Sequence, residues 1–266
     1  MFTVIGERIN TTRQAVQAAT AGRDAAYIAD DVRRQEAAGA TYIDVNAGAR
    51  IGHEMEDMEW LVEVVQGAVA LPLCLDSPDP VVLEHAFSLV KQSPLVNSIS
   101  LESDRFDVMM PFLRGKDCSV VGLCMDDNGL PACADDIVQR AIVLTAALEG
   151  AGFERDRIFI DPLVQPISVD QHNGCMALEA VRRIKAELSG VHFACGLSNS
   201  SYGLPQRKII NRTFLSLMMG AGLDGAIIDP LDEKLMAVIR TTEMLLGADE
   251  WCMNFLCGVR AEQIVS

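Results

Sequence analysis

The chain has 266 residues, 50% of them apolar, and a formal net charge of −15, enough to build a sizeable core in one large α/β unit or two small ones. The acidic balance, with no basic run, excludes a nucleic-acid partner, because affinity for a phosphate backbone rests on Lys and Arg neutralising phosphates. No apolar stretch reaches the length of about 18 residues that a membrane span needs, and the N-terminus enters a strand-like run with no export signal, so a cytoplasmic protein with no membrane partner is expected.

Eight strand-like runs begin near Thr3, Thr41, Leu71, Leu95, Cys118, Arg157, Val191 and Asp224. Each is a short apolar segment bounded by turn residues, the pattern of a fully buried strand. Helical patterns separate nearly all of them. Asp24 is placed to cap a helix through Ile28, Val32 and Gln35 that closes at Gly39. Met58–Val65, Val81–Val90, Arg105–Leu113, Asp136–Leu148, Met176–Leu188, Ile209–Met219 and Glu233–Leu246 continue the series. Alternating β and α units without a composition break imply a parallel sheet. Eight units in about 250 residues match a closed (β/α)8 barrel, the TIM barrel; a doubly wound open sheet is the alternative. No linker or low-complexity tract divides residues 1–266, so one domain is expected.

The eight cysteines contain no Cys-x-x-Cys. Cys74, Cys118, Cys124 and Cys195 fall in strand-like runs, where a free thiol acts as a small hydrophobe, and a reduced intracellular enzyme is expected.

Most of these strands end in a carboxylate or an amide. In a barrel the site lies at the C-terminal face, which collects Glu7, Asp44, Asn46, Asp76, Asn97, Asp126, Asp161, Asn199 and Asp229. Any one of these could be a turn former or a helix cap; as a set they exceed what turn chemistry requires. Missing residues narrow the chemistry. No Lys stands in a strand run, which argues against a Schiff-base enzyme. The histidines are scattered, which argues against a binuclear metal site. No Gly-x-Ser-x-Gly elbow or Gly-rich phosphate loop occurs. Several carboxylates and amides with few cations suit a neutral heterocycle that presents N–H donors. A hydrated Mg²⁺ site would use the same groups.

Seven segments occur in order: Ile5-Gly-Glu-Arg-Ile-Asn10, Asp44-Val-Asn46, Leu73-Cys-Leu-Asp-Ser77, Val96-Asn-Ser98, Asp161-Pro-Leu163, Gly196-Leu-Ser-Asn199 and Ile210-Asn-Arg-Thr-Phe214. Together they resemble the methyltetrahydrofolate:corrinoid-protein methyltransferases, part of the pterin-binding barrel group that includes dihydropteroate synthase. The resemblance implies that Asp76, Asn97 and Asp161 bind the pterin ring and that Asn199 reaches N5 as the catalytic residue. It also implies that Arg207 lies near the substrate, that Glu7, Asp44 and Asn46 line the same rim, and that no metal is ligated by the chain. The substrates implied are tetrahydrofolate or 5-methyltetrahydrofolate and a corrinoid (cobalamin) carried on a partner protein, and a homodimer is implied, to which Trp251–Val259 could contribute. Tyr202-Gly-Leu-Pro205 stands where the branch serving an iron–sulfur corrinoid protein has Gln. That difference implies the branch that passes methyl groups from small corrinoid proteins to tetrahydrofolate during demethylation. The alternatives are a dihydropteroate synthase-like enzyme and a non-catalytic folate-binding protein. Ile9-Asn-Thr-Thr-Arg-Gln14 shares only the start of the synthase's first loop.

Overall fold

The computed structural model describes residues 1–264. Its strands are β1 (Thr3–Asn10), β2 (Tyr42–Asn46), β3 (Leu73–Asp76), β4 (Leu95–Leu101), β5 (Ser119–Asp126), β6 (Ile158–Asp161), β7 (His192–Phe193) and β8 (Gly225–Ile228). All pair in parallel in the order β7-β6-β5-β4-β3-β2-β1-β8. Just past β7 the ring closes: Ile227 N–H donates to the Cys195 carbonyl at 2.9 Å, and Gly196 bridges Ile227. The expected (β/α)8 barrel is the fold.

The helices are α1 (Gln14–Ala21), α2 (Ala25–Ala37), α3 (Glu54–Ala68), α4 (Pro80–Leu89), α5 (Ser103–Leu113), α6 (Ala134–Gly150), α7 (Asn173–Glu187), α8 (Arg207–Ala221), α9 (Glu233–Leu245) and α10 (Met253–Arg260). Eight of them, α2 to α9, follow the segments expected from helical periodicity, and Asp24 caps α2 by accepting from Tyr27 N–H at 3.1 Å. Helices α1 and α10 were not expected. The first is only eight residues long and the second lies beyond the last strand. Neither has the length at which an amphipathic stripe stands out.

Two layers of core result. The outer layer fills the space between strands and helices. The inner one joins Ile5, Cys74, Leu95, Val121, Phe159 and Ala194, with Tyr42 and Ile227 packed against it. Each barrel strand therefore contributes an inward residue, Ala194 lying just past the end of β7. Cys74 is fully buried there as a small apolar filler, and burial holds its thiol well above the ordinary range. Side chains along a strand alternate between faces. One step of two residues toward the C-terminal rim turns most of this apolar layer polar: Ile5 leads to Glu7, Tyr42 to Asp44, Cys74 to Asp76, Leu95 to Asn97 and Phe159 to Asp161, while Val121 leads to the apolar Leu123; a second step on β2 reaches Asn46.

Candidate functional site

Strand register sets the first three polar residues in a row: Asn46 pairs with Asp76, and Asp76 with Asn97. The Asn46 Nδ2 donates to Asp76 Oδ2 at 2.9 Å. Asp76 and Asn97 open into a cavity of about 610 Å³ whose wall also includes Ser77, Ser98, Glu102, Arg105, Leu123 and Asp127. Asp161, on the next strand, is the register partner of Leu123 in this wall. Its Oδ1 accepts from Leu163 N–H at 2.8 Å, and the backbone at Leu163 takes a left-handed turn with φ +56°.

Electrostatically the site is a set of carboxylates held short of water. Burial raises Asp76 above the ordinary range, opposed by the hydrogen bond from Asn46. Asp44 is 2% exposed, its Oδ1 has no hydrogen-bond partner, and burial followed by the charge of Asp76 holds its carboxyl well above the usual value. Burial pushes Asp161 up to about 7. Glu7 is pushed up to about 7, first by burial and then by the neighbouring Asp229. Acceptors that lack donors in this way suit a ligand bearing several N–H groups. The unsatisfied Asp44 oxygen and the exposed faces of Asp76 and Asn97 thus fit an aminopyrimidinone edge.

Asn199 lies in a one-turn 3-10 helix, Leu197–Ser201, after β7. Its Nδ2 donates to the Val164 carbonyl at 2.6 Å, three residues past Asp161, which ties the two loops together. That bond uses one of the two amide N–H donors and fixes the side chain's direction, with Oδ1 open to accept from a ligand. Arg207 begins α8 and donates to Ser201 Oγ at 3.0 Å and the Ser198 carbonyl at 2.8 Å, bracing that short helix. Tyr202 is 64% exposed on the rim.

Not every rim residue joins the larger cavity. Glu7 and Asp229 line a second cavity of about 450 Å³ with Arg8, Ser198, Lys208 and Asn211. Asp229 accepts from Arg8 Nη1 at 2.8 Å, and Arg8 is bidentate to Asp31, which also accepts from Gln35. Asp126 is drawn out of the rim set: it accepts from Arg140 Nη2 at 2.8 Å and from Asn128 N–H, as a turn residue does. Among the described residues no three His, Cys, Asp or Glu side chains converge as ligands for a metal ion.

Sequence reasoning missed Arg105, Glu54 and Arg8. Glu54 accepts from Ser77 Oγ at 2.5 Å and steadies the residue after Asp76. Arg8 sits inside the Ile5–Asn10 segment, so a signal for it existed. Arg105 had none, since an Arg in the first turn of an amphipathic helix reads as a solvated charge.

Comparison with known proteins reports on the same architecture. The chain is 36% identical to the methylcorrinoid:tetrahydrofolate methyltransferase of Eubacterium limosum, over 98% of this chain and 97% of that protein. It is 29% identical to the methionine synthase of Mycobacterium tuberculosis over 85% of this chain, which corresponds to 20% of that longer enzyme. Among solved structures, dihydropteroate synthase from Xanthomonas albilineans in complex with 7,8-dihydropteroate superposes with TM-score 0.66 at 18% identity, covering 93% of each chain. The synthase from Stenotrophomonas maltophilia gives the same TM-score at 15% identity, over 94% of this chain and 93% of that one; both share the fold. Residues 6–229 match the pterin binding enzyme family, a span that begins just before Glu7 on β1 and ends at Asp229 beyond β8, and the chain belongs to that family.

Proposed function

We propose that this protein moves a methyl group between the cobalt of a corrinoid carried on a partner protein and N5 of tetrahydrofolate, with methylation of tetrahydrofolate as its working direction. The observation that carries the reading is the polar layer above the inner core, in which Asn46, Asp76 and Asn97 share one register row, Asp76 and Asn97 open into one cavity, and Asp161 pairs in register with Leu123 of its wall. The full-length likeness to a methylcorrinoid:tetrahydrofolate methyltransferase supports it. The corrinoid supplies the methyl-bearing cobalt.

The chain's own residues then have separable tasks. Asp76, Asn97 and Asp161 accept and donate around the edge of the pterin, with Asn46 holding Asp76 through its Nδ2 bond and Asp44 offering its unpartnered oxygen beside it, and Arg207, Glu7 and Tyr202 border the bound folate on its other side. Asn199 Oδ1, freed by the Nδ2 bond to Val164, accepts from N5–H. As the N5 lone pair forms the new bond to the methyl carbon, the cobalt–carbon bond breaks with its electron pair left on cobalt; N5 becomes positive and this hydrogen bond strengthens, which stabilises the transition state more than the ground state, and the N5 proton is then released to solvent. No covalent link to the protein is required.

Two finer features accompany the reading. A homodimer is proposed, with Trp251, Met253, Leu256 and Val259 as exposed apolar side chains on the C-terminal segment that a second copy would cover; sedimentation would measure its mass. A cytoplasmic setting is proposed, consistent with eight free cysteines. The whole stretch 1–266 is taken as one pterin-binding unit.

The test is to mix the protein with tetrahydrofolate and a methylated corrinoid protein, following 5-methyltetrahydrofolate by chromatography and cobalt by absorbance. Methyl transfer in step with the cobalt spectrum is expected. Folate binding without transfer would favour a non-catalytic folate carrier and contradict the proposal.

A further inference from the structure

The wall of the larger cavity contains a cation, Arg105, in the first turn of α5. Its guanidinium is turned onto backbone. Nε and Nη2 donate to the Ser98 carbonyl at 2.9 and 2.6 Å, Nη1 to the Pro78 carbonyl at 2.5 Å, and Nη2 also to the Ser77 carbonyl at 3.1 Å. Ser98 directly follows Asn97, and Ser77-Pro78 directly follows Asp76. Four hydrogen bonds from one planar fork therefore fasten the two chain segments that carry neighbouring ligand groups. A rigid five-donor guanidinium can do this, and the three donors of an ammonium cannot reproduce that fork.

The geometry points to Arg105 as the positioning residue of the pterin clamp. It sets the distance and direction at which the Asp76 carboxylate and the Asn97 amide face the ring, and it leaves a positive charge beside Asp76. This inference rests on the pterin reading above. The charge matters because the other neighbours of Asp76 are mixed. Asn46 and Asp44 face it from β2, Glu54 from α3, and Cys74 lies on its own strand. Asn46 favours the carboxylate, as Arg105 does, while Glu54 and burial oppose it. Burial lowers the Arg105 value from its ordinary one, opposed by Glu102, Asp76 and Asp79.

The experiment is calorimetric titration of tetrahydrofolate into the wild type, Arg105→Met and Arg105→Lys, at about pH 6 and about pH 8. Arg105→Met should weaken binding by about tenfold, and more at the lower pH, because Asp76 then holds its proton more readily. Arg105→Lys should keep the wild-type pH dependence while binding with intermediate affinity. Wild-type affinity in both variants overturns the inference. So does an equal loss in both with no change in pH dependence, which would be the mark of packing alone. Should Arg105→Met not fold, Arg105→Lys decides: a loss of about threefold with wild-type pH dependence supports the role, and unaltered affinity overturns it. A wild type that does not bind tetrahydrofolate overturns the pterin reading and this inference with it, whereas binding by the wild type with no response to Arg105 overturns only the latter.

Discussion

The amide of Asn46 donates to the carboxylate of Asp76 at 2.9 Å across the adjoining ends of β2 and β3. This bond opposes the rise that burial imposes on Asp76 and so favours its charged form. Asn46→Ala removes it, so Asp76 should hold its proton to higher pH and present a poorer acceptor to the ring. Tetrahydrofolate affinity is expected to fall roughly fivefold to tenfold near pH 6 and less near pH 8, read by calorimetry. An equal loss at both pH values would show that the amide acts on the ligand and not through Asp76.

Asn199 should separate turnover from binding. Asn199→Ala removes the Oδ1 acceptor at N5 and the bond from Nδ2 to Val164. The turnover number is expected to drop on the order of 10²-fold, with the dissociation constant of tetrahydrofolate changing by about threefold or less. Stopped-flow spectra of the cobalt measure the first and calorimetry the second. Unchanged turnover would remove Asn199 from the reaction.

A further prediction concerns stability without ligand. Burial pushes Asp161 up to about 7 from its ordinary value of 3.8, so between these values the folded protein holds a proton that the unfolded chain has lost. Its contribution is fully present below the unfolded value and is lost as pH rises through the folded one. Glu7, also near 7, acts with the same sign. Asp161→Asn keeps an oxygen for Leu163 N–H but carries no charge, so its apo form should melt roughly 2–5 °C above the wild type near pH 8. Near pH 4 the two should melt alike, while the variant binds folate weakly. A variant that melts below the wild type at the higher pH would mean that the Asp161 charge is not disfavoured.

Arg8 links Asp31 at 2.6 Å to Asp229 at 2.8 Å behind the second cavity. Asp31 is 3% exposed and would be left with only the Gln35 amide. Arg8→Met is expected to cost about 3–5 kcal/mol in chemical denaturation, the usual consequence of a stranded buried charge. A double variant Arg8→Met, Asp31→Leu should recover part of that loss. No recovery would place the cost in Asp229 instead.

How much of this was legible in the sequence depends on the range of the interaction. The strands could be read because each is a short apolar run with turn residues at its ends, and the polar residue two places beyond most inner-core positions could be read with them. Ile5 to Glu7, Cys74 to Asp76 and Leu95 to Asn97 are local steps fixed by side-chain alternation. Register was not readable, so nothing local announced that Asn46 bonds Asp76. The division of the rim into two cavities, with Asp126 diverted to Arg140, depends on which helix a strand end meets. Arg105 and Glu54 were hidden for the same reason: each lies on a helix whose sequence position gives no hint of the loop it will brace. Buried Asp57 accepts from both Arg23 and Arg50, partners that nothing local in the sequence announces.

The central claim is that these strand-end groups surround a single pterin ring with N5 turned to Asn199. The crystal structure of the wild type with tetrahydrofolate measures this directly. The account predicts the ring in the cavity beside Asp76 and Asn97, its N–H edge on the carboxylates of Asp76 and Asp161, and N5 within hydrogen-bond distance of Asn199 Oδ1. A ring seated instead among Glu7, Arg8 and Asp229, with no contact to Asp76 or Asn199, would contradict it.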